Sequence, residues 1–204
     1  MLIAVCLVGV MPPAVCGPAF ADETVMTAVL HQQATPASFD MCHSGGCAEV
    51  SHVALSDEEW QQVRAIFQPL PQAAEQERDA IANAIGIMET LVGAKTGTST
   101  DRGGTFGNSA YPGQLDCNDE AINTTNYMKM LAAAGLIRFH DLMDIHRRGF
   151  FLTGWPHSTA AIRDKQTGQR YAVDAWFYDN GHPAEVLTME LWKSGWKPAD
   201  SGAR

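Results

Sequence analysis

Apolar residues recur along this chain at two spacings, and the change from one to the other divides it. From Ser56 onward the spacing is helical. Ser56-Asp-Glu-Glu59 has the form of a capping box, and Trp60, Val63, Phe67 and Leu70 follow on one face, so a helix is predicted over 57–68, stopping at Pro69. A second helix is predicted from about Gln72 to Val92, with Ile81, Ile85, Met88 and Val92 as its apolar stripe and Gly93 as its end. Arg78 and Glu89 fall on its solvated face in this reading. A third helix is predicted from Cys117 to Gly135. Asp116 is its N-cap, Asp119 and Glu120 occupy the first turn, and Ala121, Ile122, Thr125, Met128, Leu131 and Ala132 form a broad buried band.

Beyond Gly135 the spacing shortens. Leu136 to His140 and Arg148 to Thr153 read as short strands. His157 to Arg163 and Arg170 to Trp176 are the clearest strands, joined by the turn Asp164-Lys-Gln-Thr-Gly168. Asn180-Gly181 marks another turn, and Leu187 to Trp196 is a closing helix or strand. Residues 22–41 carry no pattern and are expected to be an extended lead-in. Gly93 to Gly113 is predicted to be a long loop, a length often used for a lid or binding loop. Helices followed by strands predict an α+β domain, with the third helix packed on an antiparallel sheet.

Composition narrows the class. The chain has 204 residues, 46% hydrophobic and 18% charged, enough for one globular domain with a core. A net charge of −9 with no basic stripe argues against a nucleic-acid partner. Leu2 to Val10 is an apolar run, and Ala19-Phe20-Ala21 has the small-residue form of a cleavage site. A signal peptide is therefore expected over 1–21, with a single domain over 22–204 in the periplasm or outside the cell. Pro12, Pro13 and Pro18 interrupt the run, so no stable membrane insertion is expected after cleavage.

Removing the leader leaves Cys42, Cys47 and Cys117. An oxidising compartment favours pairing of the two close cysteines, Cys42 with Cys47, as a surface staple around His-Ser-Gly-Gly. Cys117 is then the odd thiol. It stands where a loop becomes a helix, a position that favours a thiolate. In the strand hairpin, a turn over 165–168 sets Asp164 opposite Gln169 and Thr159 opposite Asp174. His157 then lies diagonal to Asp174 on the same face, within side-chain reach. Nucleophile, base and orienting acid are thus expected in Cys117, His157 and Asp174, with backbone N–H groups at the helix start serving an oxyanion. Asp116 and Asp119 oppose thiolate formation.

Asp-Cys117-Asn-Asp-Glu-Ala, the helix end Leu-Ala-Ala-Ala-Gly-Leu136, Pro-His157-Ser-Thr-Ala-Ala-Ile and Tyr-Ala-Val-Asp174-Ala-Trp-Phe occur in an order that resembles the transglutaminase-like cysteine peptidase superfamily, its bacterial members in particular. The resemblance covers roughly residues 77–180. It implies a papain/transglutaminase-like core and thiol acyl chemistry on a peptide, protein or peptidoglycan-like amide, by hydrolysis or by transfer to an amine. It implies no obligatory cofactor, although calcium held near the cysteine by Asp116 and Asp119 is compatible with it. Trp155 and Trp176 are the candidate substrate-binding residues. Two other readings stay open. One is a non-catalytic binding module on the same scaffold, whose groove is lined by Trp155, Trp176, Phe177 and Tyr178. The other is a metal protein using His140 and His146 with His157 or Cys117, or Cys42, His43 and Cys47. Asp101 is a lone cation candidate, and His43, His52 and His182 are expected to be solvated.

Overall fold

The computed structural model describes residues 23–105, 112–149 and 156–199. The expected leader and Trp155 lie outside the described residues. The elements are α1 (Glu23–Leu30), β1 (Phe39–His43), β2 (Glu49–Val53), α2 (Asp57–Ala65), α3 (Ala74–Thr96), α4 (Cys117–Ala133), β3 (His140–Arg148), β4 (His157–Asp164), β5 (Arg170–Asp174), β6 (Glu185–Thr188) and α5 (Met189–Lys193). The class is α+β. One antiparallel sheet is the hairpin β1-β2, and the other runs in the order β3-β4-β5-β6.

The helices follow the expected stripes, with displaced ends. The α2 capping box forms in both directions, with Glu59 N donating to Ser56 Oγ and Ser56 N donating to Glu59 Oε2. The helix stops earlier than predicted, and Leu70 is 38% exposed rather than part of its apolar face. In α3, Ile81, Ile85, Met88 and Val92 are all buried. This helix runs through Gly93 instead of ending there. Gly93 is needed for close packing, because a Cβ on it would meet the Asn180 side chain and the Ser99 backbone at 3.0 Å. Termination falls to Gly97, which takes the left-handed conformation at φ 80°.

The lead-in departs most from expectation. Residues 23–30 are a helix, and 39–53 form a hairpin closed by the Cys42–Cys47 disulfide. A helix this short gains its stability from tertiary packing. Val29, with Val25, Met26 and Leu30 around it, packs on Cys42, Cys47 and Ile122 of α4. The disulfide is therefore no surface staple, since Cys42 and Cys47 are buried. The strand predicted over Leu136 to His140 starts later, as β3, which has a register shift between Met143 and His146; most of the strand predicted over Arg148 to Thr153 lies outside the described residues. The closing segment is both a strand and a helix, β6 then α5.

The larger sheet is covered on both faces. Ala160, Ile162 and Val173 join Met128 and Leu131 of α4 in the main core. Ala161 and Ala172 face the other way, against Met189 and Trp192. The turn from α4 into β3 is held by Glu77 of α3, whose carboxylate accepts the N–H groups of Arg138, Phe139 and His140 and bonds His140 Nδ1 at 2.9 Å. Burial alone would raise the Glu77 pKa, but His140 and the backbone donors outweigh it and hold the pKa below the usual value. Arg78, half-buried beside Glu77, lies over the Tyr171 ring at 4.2 Å. Replacing Glu77 by Ala would strand three backbone donors and one imidazole in the interior. The expected loss is about 3–5 kcal/mol, measured by urea denaturation monitored at the tryptophans.

Candidate active site

Cys117 is the first residue of α4 and is 6% exposed. Its position is set by a double cap. Asp116 Oδ1 accepts the N–H groups of Asn118 at 2.9 Å and Asp119 at 3.0 Å. Asp119 reaches back to Asp116 N at 3.2 Å and, with the same carboxylate, accepts Gly45 N at 2.7 Å and Cys47 N at 2.5 Å. One side chain thus caps the helix and docks the disulfide loop on it. Asn123 reinforces the seam, accepting from Cys42 N and donating to Cys42 O, each at 2.8 Å.

The loop after α3 is tied to the same place. Asp101 is buried and accepts Leu115 N at 2.7 Å, while Gln114 bonds Thr100 O and Arg102 N. Asp101, the lone cation candidate of the sequence, therefore serves as an internal cap for the approach to Cys117.

His157 opens β4 and Asp174 closes β5. Their register is the one the hairpin predicts: Asp164 N donates to Gln169 O at 2.9 Å, and Ala160 pairs with Val173. His157 Nε2 meets Asp174 Oδ2 at 2.7 Å, with both side chains buried. The same oxygen accepts the Trp192 indole N–H at 2.6 Å, and Oδ1 accepts Trp176 N at 3.3 Å. Aromatic rings surround the imidazole, with centroids at 4.6 Å for Trp176 and 5.5 Å for both Phe177 and Trp192. Trp176 is further held by its indole N–H on Thr105 O at 2.6 Å. The far ring nitrogen, His157 Nδ1, is buried without a hydrogen-bond partner.

Cys117 sulfur accepts the N–H of Ser158, the next residue of β4, and no hydrogen bond joins it to His157 Nδ1. Ser158 Oγ also donates to Asn118 Oδ1 at 2.9 Å, so β4 is joined to α4 at the cysteine and at the residue after it. Burial pushes the Cys117 pKa up to about 12, and the charges of Asp116, Asp174 and Asp119 add to it. The Ser158 N–H opposes the rise without cancelling it. A helix N-terminus alone suggests an acidic thiol; burial among carboxylates reverses that and keeps the proton on sulfur in this state.

A second acidic group lies behind the cap. Glu89 of α3 is 6% exposed, not solvated as its helix face suggested, and accepts Gly181 N at 3.2 Å. Burial raises its pKa to about 8, and Asp101 adds to the rise. Glu120 beside it is raised well above the usual carboxylate range by burial and by Glu89, and burial raises Asp101 and Asp119 to about 7. Glu89 and Glu120 are hydrogen-bonded to each other, which requires a proton on one of the two carboxyls.

The remaining histidines are committed elsewhere. His140 Nδ1 is bonded to Glu77, His146 Nδ1 lies 2.9 Å from Asp144 O, and His43 is buried between Ser44 and Ser51 rather than solvated. Among the described residues, no group of three or more His, Cys, Asp or Glu side chains is arranged to hold a metal ion. Trp192 and Ser158 are the site residues the sequence does not flag. Trp192 comes to Asp174 through the β6–α5 turn, which pattern alone leaves ambiguous between strand and helix.

No protein-family model matches the chain, and no curated protein or solved structure matches it either.

Two outcomes are expected. Carboxyls with raised folded pKa values bind more protons folded than unfolded, so their effect is most favourable below the unfolded value near 4.5 and is lost as pH rises toward about 8. The melting temperature should therefore fall between pH 5.5 and pH 8.5, and Glu89→Gln should flatten that slope in a calorimetric series. Trp192→Phe removes a donor from Asp174 while keeping an aromatic ring. It should cost about 1–3 kcal/mol by urea denaturation and move the His157 ring-proton chemical shifts in NMR spectra, since that indole N–H shares the Asp174 oxygen that holds the ring.

Proposed function

We propose that this protein is an exported thiol acyl-transfer enzyme of the transglutaminase-like kind, with a papain-like core, acting on peptide or isopeptide amides. The carrying observation is the imidazole of His157. Its Nε2 is fixed by Asp174, while its Nδ1 is buried, partnerless and one residue from the strand N–H that meets Cys117 sulfur. A thiol proton is what such a nitrogen lacks.

In this reading Nδ1, which makes no hydrogen bond to Cys117 in this structure, takes the thiol proton after a side-chain movement at the open end of β4, as the sulfur attacks the amide carbon. Asp174 holds the ring in the required tautomer and balances the imidazolium. The same proton then passes to the departing amine. The thioester left on Cys117 goes to water or to a second amine. The N–H groups of Asn118 and Asp119 are taken up by Asp116, so Cys117 N–H is the first-turn donor left to serve the oxyanion. Trp176 walls the imidazole from water beside the site, consistent with its expected place in substrate binding.

The high pKa of the thiol favours a second reading, a binding module on the same scaffold that does no chemistry. Turnover separates the two. Cleavage of fluorogenic peptides and peptidoglycan fragments is expected from the wild type, with a loss of about 100-fold or more in kcat for His157→Ala and for Asp174→Asn, and no thioester trapped by mass spectrometry in Cys117→Ala. Turnover that survives Cys117→Ala would overturn the acyl-transfer reading.

A further inference from the structure

Arg148 is the last residue of β3, and an irregularity in that strand aims it at the His157–Asp174 pair. From His140 to Met143 the strand pairs with β4 in one register. Carried on unbroken, that register would set Arg147 opposite His157. The shift between Met143 and His146 slides the pairing by one residue and sets Arg148 there instead. Residues directly opposite in an antiparallel ladder share a face. The shift therefore brings Arg148 to the His157 side of the sheet and leaves Arg147 exposed.

The Arg148 guanidinium is fully engaged on that side. Nη1 donates to Trp192 O, and Nη2 donates to Trp196 O at 3.0 Å, so one group grips α5 and the turn that follows it. It lies over the Trp192 ring at 4.5 Å and near the Phe177 ring at 6.0 Å. The Trp192 indole N–H donates to Asp174 Oδ2, the same oxygen that meets His157 Nε2. Burial lowers the Arg148 pKa and the charge of Asp174 opposes that, so guanidinium and carboxylate feel each other.

We infer that Arg148 is a positioning residue for the orienting acid: by fixing Trp192 it holds Asp174 Oδ2 on His157, an assignment that rests on the acyl-transfer reading above. Asp174 is buried and, besides His157, accepts two neutral donors, the Trp192 indole N–H and Trp176 N. A buried carboxylate with neutral donors gains from a nearby cation, and Arg148 supplies one. A cation over an indole also strengthens its N–H as a donor, because it draws electron density from the ring. Without the grip on α5, Trp192 is free to withdraw, and Asp174 loses the contact that fixes which oxygen faces the imidazole.

The test compares the full chain with Arg148→Met, which keeps an apolar stem against the rings, and with Arg148→Lys, which keeps the charge but not the two-pronged grip. The first readout is NMR without substrate. The Trp192 indole N–H and the His157 ring protons are assigned by their loss in Trp192→Phe and His157→Ala. Both signals should move in Arg148→Met, with indole N–H exchange about tenfold faster or more, and both should move less in Arg148→Lys. The second readout is turnover of the fluorogenic peptides. In Arg148→Met, kcat should fall about tenfold or more with KM within about twofold of wild type, and Arg148→Lys should recover part of kcat. If Arg148→Met does not fold, Arg148→Lys carries both readouts. A lower melting temperature with both signals at their wild-type positions would reduce Arg148 to packing and overturn the assignment, as would moved signals with kcat unchanged. The acyl-transfer reading fails separately, if the signals move as expected and the wild type cleaves peptides no faster than Cys117→Ala.

Discussion

The carboxylate of Asp119 is the contact on which the candidate site depends. It closes the capping box with Asp116 and takes the N–H groups of Gly45 and Cys47. Three separate pieces of chain are fixed by one side chain: the loop that delivers Cys117, the first turn of α4 and the disulfide hairpin. Each donor would otherwise be a backbone N–H turned into a water-poor interior, and such groups are costly to leave unmet. The helix start is therefore defined from outside the helix as well as from within it. The disulfide holds the hairpin loop in shape, Asn123 pins Cys42, and α1 closes over both.

The electrostatic character of the region follows from the same arrangement. Asp116, Asp119, Glu120, Asp101 and Glu89 crowd one volume, and burial drives most of them toward neutrality. A thiol set among them keeps its proton. His157 and Asp174 lie on the other face of the sheet, under the aromatic cover of Trp176, Phe177 and Trp192. Acidic surroundings hold the sulfur in its neutral form, and an aromatic box holds the base in one orientation.

Much of this was legible in the pattern of residues. The stripe of α3, the cap at Asp116 and the hairpin register that sets His157 diagonal to Asp174 all follow from local rules, and the structure has them in place. The departures share one cause, which is contact between segments far apart in sequence. Gly93 looks like a stop signal, yet it is kept inside a helix for close approach to Asn180. Residues 23–30 have too little periodicity to announce a helix and become one by packing on Ile122 and the disulfide. Glu89 sits at a position that pattern assigns to solvent, yet it is buried because the Asn180–Gly181 turn folds over it. Trp192 reaches Asp174 only because β6 and α5 meet at a corner that periodicity alone leaves undetermined.

The seam between the hairpin and α4 has a kinetic side. Gly45 and Asp119 are 74 residues apart, and Cys42 and Asn123 are 81 apart. Contacts of such high sequence separation form only after a large loop-closure cost has been met, whereas the interior of α4 and the β4–β5 hairpin are built from near neighbours. The ordered start of the cysteine's helix thus belongs to the late-assembling part of the molecule. On loop-closure grounds the hairpin carrying His157 and Asp174 is expected to form before the start of the Cys117 helix is pinned, so the last contacts of the fold are also those that shape the surroundings of the thiol.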